Sequence, residues 1–296
     1  MYTKDQLLSL AQSDYRSALV HIDTDALLQL QLPDSFQFSL MKTGLHNIEA
    51  VRAAAYILVL NSINYMFWEL RDGKVYRYAY EGQIGALGMR QAMQRAWGPD
   101  LDPNLFKKSL GSGDAAMITA LFGDIPDPVS RGQHLLEAVD PVRLNAALGV
   151  LQAATSAGMF TVDTARQLAV LFPIAYGQDA YLKRAQLAIM EYAGYLAEQG
   201  IQVHLDLTVA ADYQLPRVMR ALGVLVYDPE VASLIDQQQI IERDSEIERA
   251  LRSATILGAQ AMAKHLGVSE PAVDNFLWLH RKEATGPFHL TPTTDY

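Results

Sequence analysis

The acid Asp212 stands in "VAADYQLPRVMRALG", between apolar residues and a proline. A carboxylate held there has two chemical uses. It can accept backbone N–H groups at the start of the helix predicted to follow, with Pro216 near its first turn. It can also serve as a fixed negative charge that stabilises a developing cation or orients a water. The two uses are compatible. A second acid, Asp274, lies in "AVDNFLWLHRKEATGPFHL", four residues before Trp278 and so on the same helix face. An acid beside an aromatic plane suits a purine-type base, which stacks on the ring while its guanine edge donates to the carboxylate. The plainer reading is a core tryptophan and a surface aspartate. Lys183 and Arg184 open "KRAQLAIMEY", either as a solvated stripe on an amphipathic helix or as cations reaching inward to a phosphate. Trp68 in "NYMFWEL" and His289 in "PFHL" read first as packing residues.

The elements that must hold these residues are mostly helical. "VRAAAYILVLNSINYMFWEL" predicts a long apolar helix on which Asn61 and Asn64, three apart, share a face. "WELRDGKVYRYAYEGQ" then changes period, with "RDGK" as a hairpin turn between strand-forming residues. Helical patterns punctuated by Gly and Pro resume at Gly85. "IPDPVSRG" reads as a loop, "DPVR" as an Asp-capped helix start, and "IQVHLDLT" as a short strand. The expectation is one mainly α domain over 1–296, with a small antiparallel β-hairpin at about 68–83 and a helical core at about 85–280.

Composition narrows the function. The chain has 296 residues, half of them hydrophobic, and no cysteine, which excludes a disulfide framework, a cysteine nucleophile and a thiolate metal site. Seven histidines are scattered without metal-ligand spacing, so no metal is expected. The formal net charge of −9 and the lack of a Lys/Arg cluster argue against a nucleic-acid polymer as partner. No apolar run approaches the ~20 residues that span a bilayer, and the N-terminus has no leader pattern, so a soluble cytoplasmic protein is expected. The motifs GxSxG, HExxH and GxxxxGK[ST] do not occur. "AQAMAKHLGVSEPAVDNFLW" has the look of a helix-turn-helix with Gly267 at the turn, and a DNA- or ligand-binding regulator is the rival reading. Its second helix starts acidic and turns apolar, which is poor chemistry for reading DNA.

Four segments, in order, resemble the queuosine salvage proteins, which are queuosine 5′-phosphate N-glycosylases. "NSINYMFW" is similar to their LNFxFW element, "YLKRAQLAIMEY" to their YKRAQ helix, "LTVAADYQLPRVMRALG" to their LT-x-x-ADYR-x-PQ segment, and "VDNFLWL" with "PFHL" to their C-terminal end. The resemblance implies a helical fold similar to helical DNA glycosylases, no metal or cofactor, and release of queuine from a small nucleotide substrate. It implies Asp212 as the catalytic carboxylate beneath C1′, and Asp274 at the guanine edge of the base with Trp278 or Trp68 as stacking wall. Lys183 would hold the 5′-phosphate, Tyr213 and Asn64 would donate to phosphate or sugar, and His46 would match a histidine near the base pocket. Departures fall around the base: Ala210 replaces an aromatic, Gln214 an arginine, Asn275 a tyrosine and Leu279 an acid. They bear on the identity of the substrate, and a related deazapurine or purine nucleotide is the alternative.

Overall fold

The computed structural model describes residues 1–30 and 40–296. Among them are fourteen helices and four two-stranded sheets, so the protein is mainly α. The described chain gathers into two compact units. The first comprises Met1–Met41, Thr161–Asp163 and Leu205–Pro292; the second comprises Lys42–Phe160, Thr164–His204 and Thr293–Tyr296.

In the first unit the helix Glu246–Leu266 is the centre. The helices Lys4–Asp14, Gln214–Ala221 and Glu270–His280 pack on it, and twelve of its residues are buried. Strands Val20–Ile22 and Leu225–Tyr227 pair antiparallel beside it. The central helix ends at Gly267, whose left-handed backbone (φ 66°, ψ 33°) sends its N–H back to Ala263. Ser269 then caps the next helix by accepting from Ala272 N at 3.4 Å. The turn between two helices expected for a helix-turn-helix is therefore present. The second helix is not a reading head, because every residue from Pro271 to Leu277 is buried.

The second unit is built around Ala50–Ser62, ten of whose thirteen residues are buried. The helices Pro128–Ala138, Pro141–Ser156 and Lys183–Glu198 pack against it. The hairpin expected from "RDGK" pairs Trp68–Arg71 with Lys74–Arg77. Asp72 and Gly73 both take positive φ, 51° and 73°, as a type I′ turn requires. Two boundaries differ from the sequence reading. "IPDPVSRG" is not all loop: Asp127 caps, Pro128 takes the first turn and a helix runs on to Ala138. The apolar helix also stops at Ser62, well before the hydrophobic pattern does. The reason is tertiary: the carbonyls beyond Ser62 are taken by cations from other helices, as described below. Among the described residues no helix is long and apolar enough to cross a membrane, and no group of three or more His, Asp or Glu is placed to hold a metal ion.

Candidate active site

Asp212 lies at the end of an extended, buried stretch, Leu207–Ala211, just before the helix Gln214–Ala221. Its Oδ1 accepts the backbone N–H groups of Gln214 at 2.7 Å and Leu215 at 3.1 Å. The capping role is therefore real, and it fixes the carboxylate's orientation. Oδ2 accepts no hydrogen bond from the described residues, and the side chain is half-buried. Capping uses one oxygen only, so it does not preclude a second use of the carboxylate.

The stretch before Asp212 is gripped from two helices. Asp274, 4% exposed, accepts the Ala210 N–H through Oδ2 at 2.7 Å. Arg252, equally buried, directs Nε to the Ala211 carbonyl at 3.3 Å. Its Nε also faces Glu248 Oε1 at 3.9 Å, one helical turn back, and both side chains are 4% exposed. His289 is buried in the same unit, and burial together with the Arg252 charge pushes its pKa down to about 3. It is therefore neutral at physiological pH. The sequence reading of Asp274 as a surface residue fails: it is buried, with one carboxylate oxygen on the backbone two residues before Asp212. Arg252 and Glu248 were not singled out in the sequence. Their only signal is an Arg at i+4 from a Glu in a helix that is otherwise apolar on that side.

Around the helix start the remaining predicted residues are close in sequence but differ in setting. The Tyr213 ring is buried against Phe288, centroids 4.6 Å apart. Asn275 is buried beside Asp274 on the same helix. Trp278 is half-buried, and one face of its ring is covered by the Arg281 guanidinium at 3.5 Å. Burial lowers the pKa of Arg281, with Asp212 and Tyr213 acting the other way. Arg217 ties this corner together. It donates to the carbonyls of Arg281 at 3.1 Å, Ala284 at 2.5 Å and Gly286 at 2.7 Å, and to Gln214 Oε1 at 3.3 Å. Gln214, where an arginine was expected, is thus an acceptor in this network.

The second unit holds the other predicted residues. Lys183 and Arg184 are not a solvated stripe: they are 3% and 2% exposed, on a helix buried on nearly every side. The helix begins after Leu182 in a left-handed conformation (φ 57°), and Asp179 accepts the Lys183 N–H at 2.7 Å and the Tyr181 N–H at 3.0 Å. Lys183 Nζ donates to the Asn64 carbonyl at 3.0 Å. Arg184 donates to the Ser62 carbonyl and approaches His134 Nδ1 at 3.1 Å. Arg131, fully buried, donates to the carbonyls of Ile63, Tyr65, Met66 and Pro126. Three cations thus grip consecutive carbonyls at the C-terminal end of Ala50–Ser62, where the helix macrodipole is negative. His134, in the middle of them, is lowered to about 3 by burial and by the Arg184 charge.

Asn64 joins Lys183 here. Its side chain donates to Asn61 Oδ1 at 3.0 Å, and Asn61 donates to the buried Glu191 at 2.8 Å, which pairs with Arg90. The two asparagines meet as expected, but not on a common helix face: Asn64 lies past the helix end at Ser62 and bonds Asn61 from the turn that follows. Trp68 is buried at the first position of the hairpin, opposite Arg77. His46 is not with them. It is exposed in the loop whose carbonyl accepts from Gln199 at 2.8 Å, at the far end of the helix that Lys183 begins. At 1.5 Å per residue that separates it from Lys183 by about 24 Å.

Residues 176–294, which include Lys183, Asp212, Asp274 and His289, match the family model described as queuosine salvage protein. Two relatives match over most of their length, and both are named queuosine 5′-phosphate N-glycosylase/hydrolase. The one from Sphaerobacter thermophilus is 29% identical over 266 residues, covering 82% of this chain and 81% of its own. The one from Dictyostelium discoideum is 26% identical over 265 residues, covering 82% of this chain and 78% of its own. The chain is similar to the queuosine salvage proteins along about four fifths of its length, and the family resemblance carried by its four ordered motifs holds.

Proposed function

We propose that the protein is an N-glycosidase that hydrolyses queuosine 5′-monophosphate and releases queuine for salvage into tRNA modification. The observation that carries this reading is the split role of Asp212, one oxygen anchored on two backbone N–H groups and the other accepting none among the described residues. It is supported by the shared name of the two relatives.

The chemistry follows from the bond that breaks. As the C1′–N bond lengthens, positive charge grows on the ribose and the electron pair moves into the base. A carboxylate held rigidly under C1′ stabilises that charge without reorganising. It can also accept a proton from the attacking water, whose hydroxyl goes to C1′ while a proton reaches the departing base nitrogen. A 7-deazapurine has carbon at position 7, so protonation at that ring atom is not the way out, and hydrogen bonds at the guanine edge must hold the leaving base. Asp274, whose Oδ2 accepts the Ala210 N–H, is assigned to that edge from the resemblance. The Trp278 face away from Arg281 is assigned to stacking.

The test is base release from queuosine 5′-monophosphate followed by chromatography. The wild-type protein is expected to release queuine, and Asp212→Asn to slow release ~100-fold or more. No release by the wild type, or full activity in Asp212→Asn, overturns the reading.

A further inference from the structure

We infer that Arg252 is a positioning residue for the catalytic carboxylate, an inference that rests on the function proposed above. The stretch Ala210–Ala211–Asp212 belongs to no helix or strand. Irregular backbone that is buried must have its polar groups satisfied by side chains. Here one N–H and one carbonyl in the two residues before Asp212 are satisfied by opposite charges from two different helices. The Ala210 N–H goes to the Asp274 carboxylate at 2.7 Å, and the Ala211 carbonyl receives Arg252 Nε at 3.3 Å. Together with the anchored Oδ1 of Asp212, the chain is held on both sides of the acid within a few residues. Rotation of the peptide between Ala211 and Asp212 would swing the Asp212 side chain, and the Arg252 contact opposes that rotation.

Arg252 is itself oriented from its own helix. Glu248 faces its Nε at 3.9 Å from one turn earlier, and both side chains are excluded from solvent. An arginine placed only to neutralise Glu248 would have no need of the Ala211 carbonyl. A buried cation aimed at the peptide bond preceding a catalytic acid fits the general demand that reacting groups sit within about half an ångström of their productive place.

The experiment uses the full chain and four measurements: kcat and KM on queuosine 5′-monophosphate, thermal unfolding, and binding of free queuine to the folded protein. Arg252→Lys keeps the charge but loses the planar Nε donor. Its kcat is expected to fall 10- to 100-fold with KM within 3-fold, queuine binding unchanged and the protein folded at the assay temperature. Arg252→Ala is expected to fall further, with partial recovery on addition of guanidinium ion at millimolar concentration. Should the alanine variant unfold, Glu248→Gln carries the test, with a smaller drop in kcat at unchanged KM. The inference is overturned if folded Arg252→Lys and Glu248→Gln both turn over at the wild-type rate. A loss that appears in KM and queuine binding with kcat intact also overturns it. Absence of base release by the wild type is a failure of the proposed function and is seen before any variant is made.

Discussion

Two buried, irregular segments of this protein are held by charged side chains, and they are held for different ends. The carbonyls of Ser62–Met66 are gripped mainly by cations: Arg131, Lys183 and Arg184 donate to them, and the His134 ring nitrogen Nδ1 also lies 3.2 Å from the Ser62 carbonyl. The stretch Ala210–Asp212 is gripped by charges of both signs, Asp274 on an N–H and Arg252 on a carbonyl, and it ends on an acid whose second oxygen accepts nothing from the described residues. The first arrangement leaves a helix end satisfied. The second ends on a half-buried carboxylate anchored through one oxygen, the group that the proposed function puts to work. Buried charge by itself therefore does not mark a site.

That contrast can be broken in several ways. The largest effect is expected from Arg131→Met, which strands four buried carbonyls. It should lower stability by about 3–5 kcal/mol, read by urea unfolding. If Arg131→Met unfolds at the wild-type midpoint, the cation grip is not structural. Asp212→Ala is the converse: activity should fall by two orders of magnitude or more, while stability drops only by the loss of a cap, ~1 kcal/mol. A stability loss as large as that of Arg131→Met would erase the distinction between the two segments.

The buried histidines give a third, intermediate test. His134 beside Arg184 and His289 beside Arg252 are both lowered to about 3, against an ordinary value near 6.5. Between those values the unfolded chain binds protons that the folded chain does not, so stability falls as pH falls from about 6.5 toward 3. Going from pH 7.5 to 5 should cost about 2 kcal/mol per histidine. Replacing either with Gln should flatten the pH dependence of the urea midpoint by roughly half. The smallest effect sharpens the comparison most: Asp212→Ser keeps a capping oxygen and removes the charge. Its stability should stay within about 0.5 kcal/mol of wild type while base release is lost.

The sequence carried local signals well. Asp72–Gly73 between strand formers specified a type I′ hairpin, and Asp140–Pro141 specified a helix start, because each depends only on neighbours in the chain. Asp212 before "YQLP" was readable as a cap for the same reason. What depends on distant partners was not readable. The apolar run from Val51 to Leu70 has no local stop at Ser62; the stop is made by cations that arrive from residues 131, 183 and 184. Lys183 and Arg184 read as a solvated stripe, and Arg131 as part of a loop, because the chain says nothing about which carbonyls await them. Arg252 was passed over for the same reason, since its partner at Ala211 is 41 residues away. His46 was placed by a loose family correspondence with no physical constraint behind it, and it sits at the wrong end of its helix neighbour.

The grip on Ser62–Met66 has a consequence for brine. Mobile ions weaken attraction between charges that water can reach, such as Arg71 with Asp124 or Arg220 with Asp236 at the surface. They have little access to Arg131, Lys183 and Arg184, which are buried and donate to uncharged carbonyls inside the fold. Raising sodium chloride should therefore weaken such surface pairs while leaving the seam at Ser62–Met66 intact.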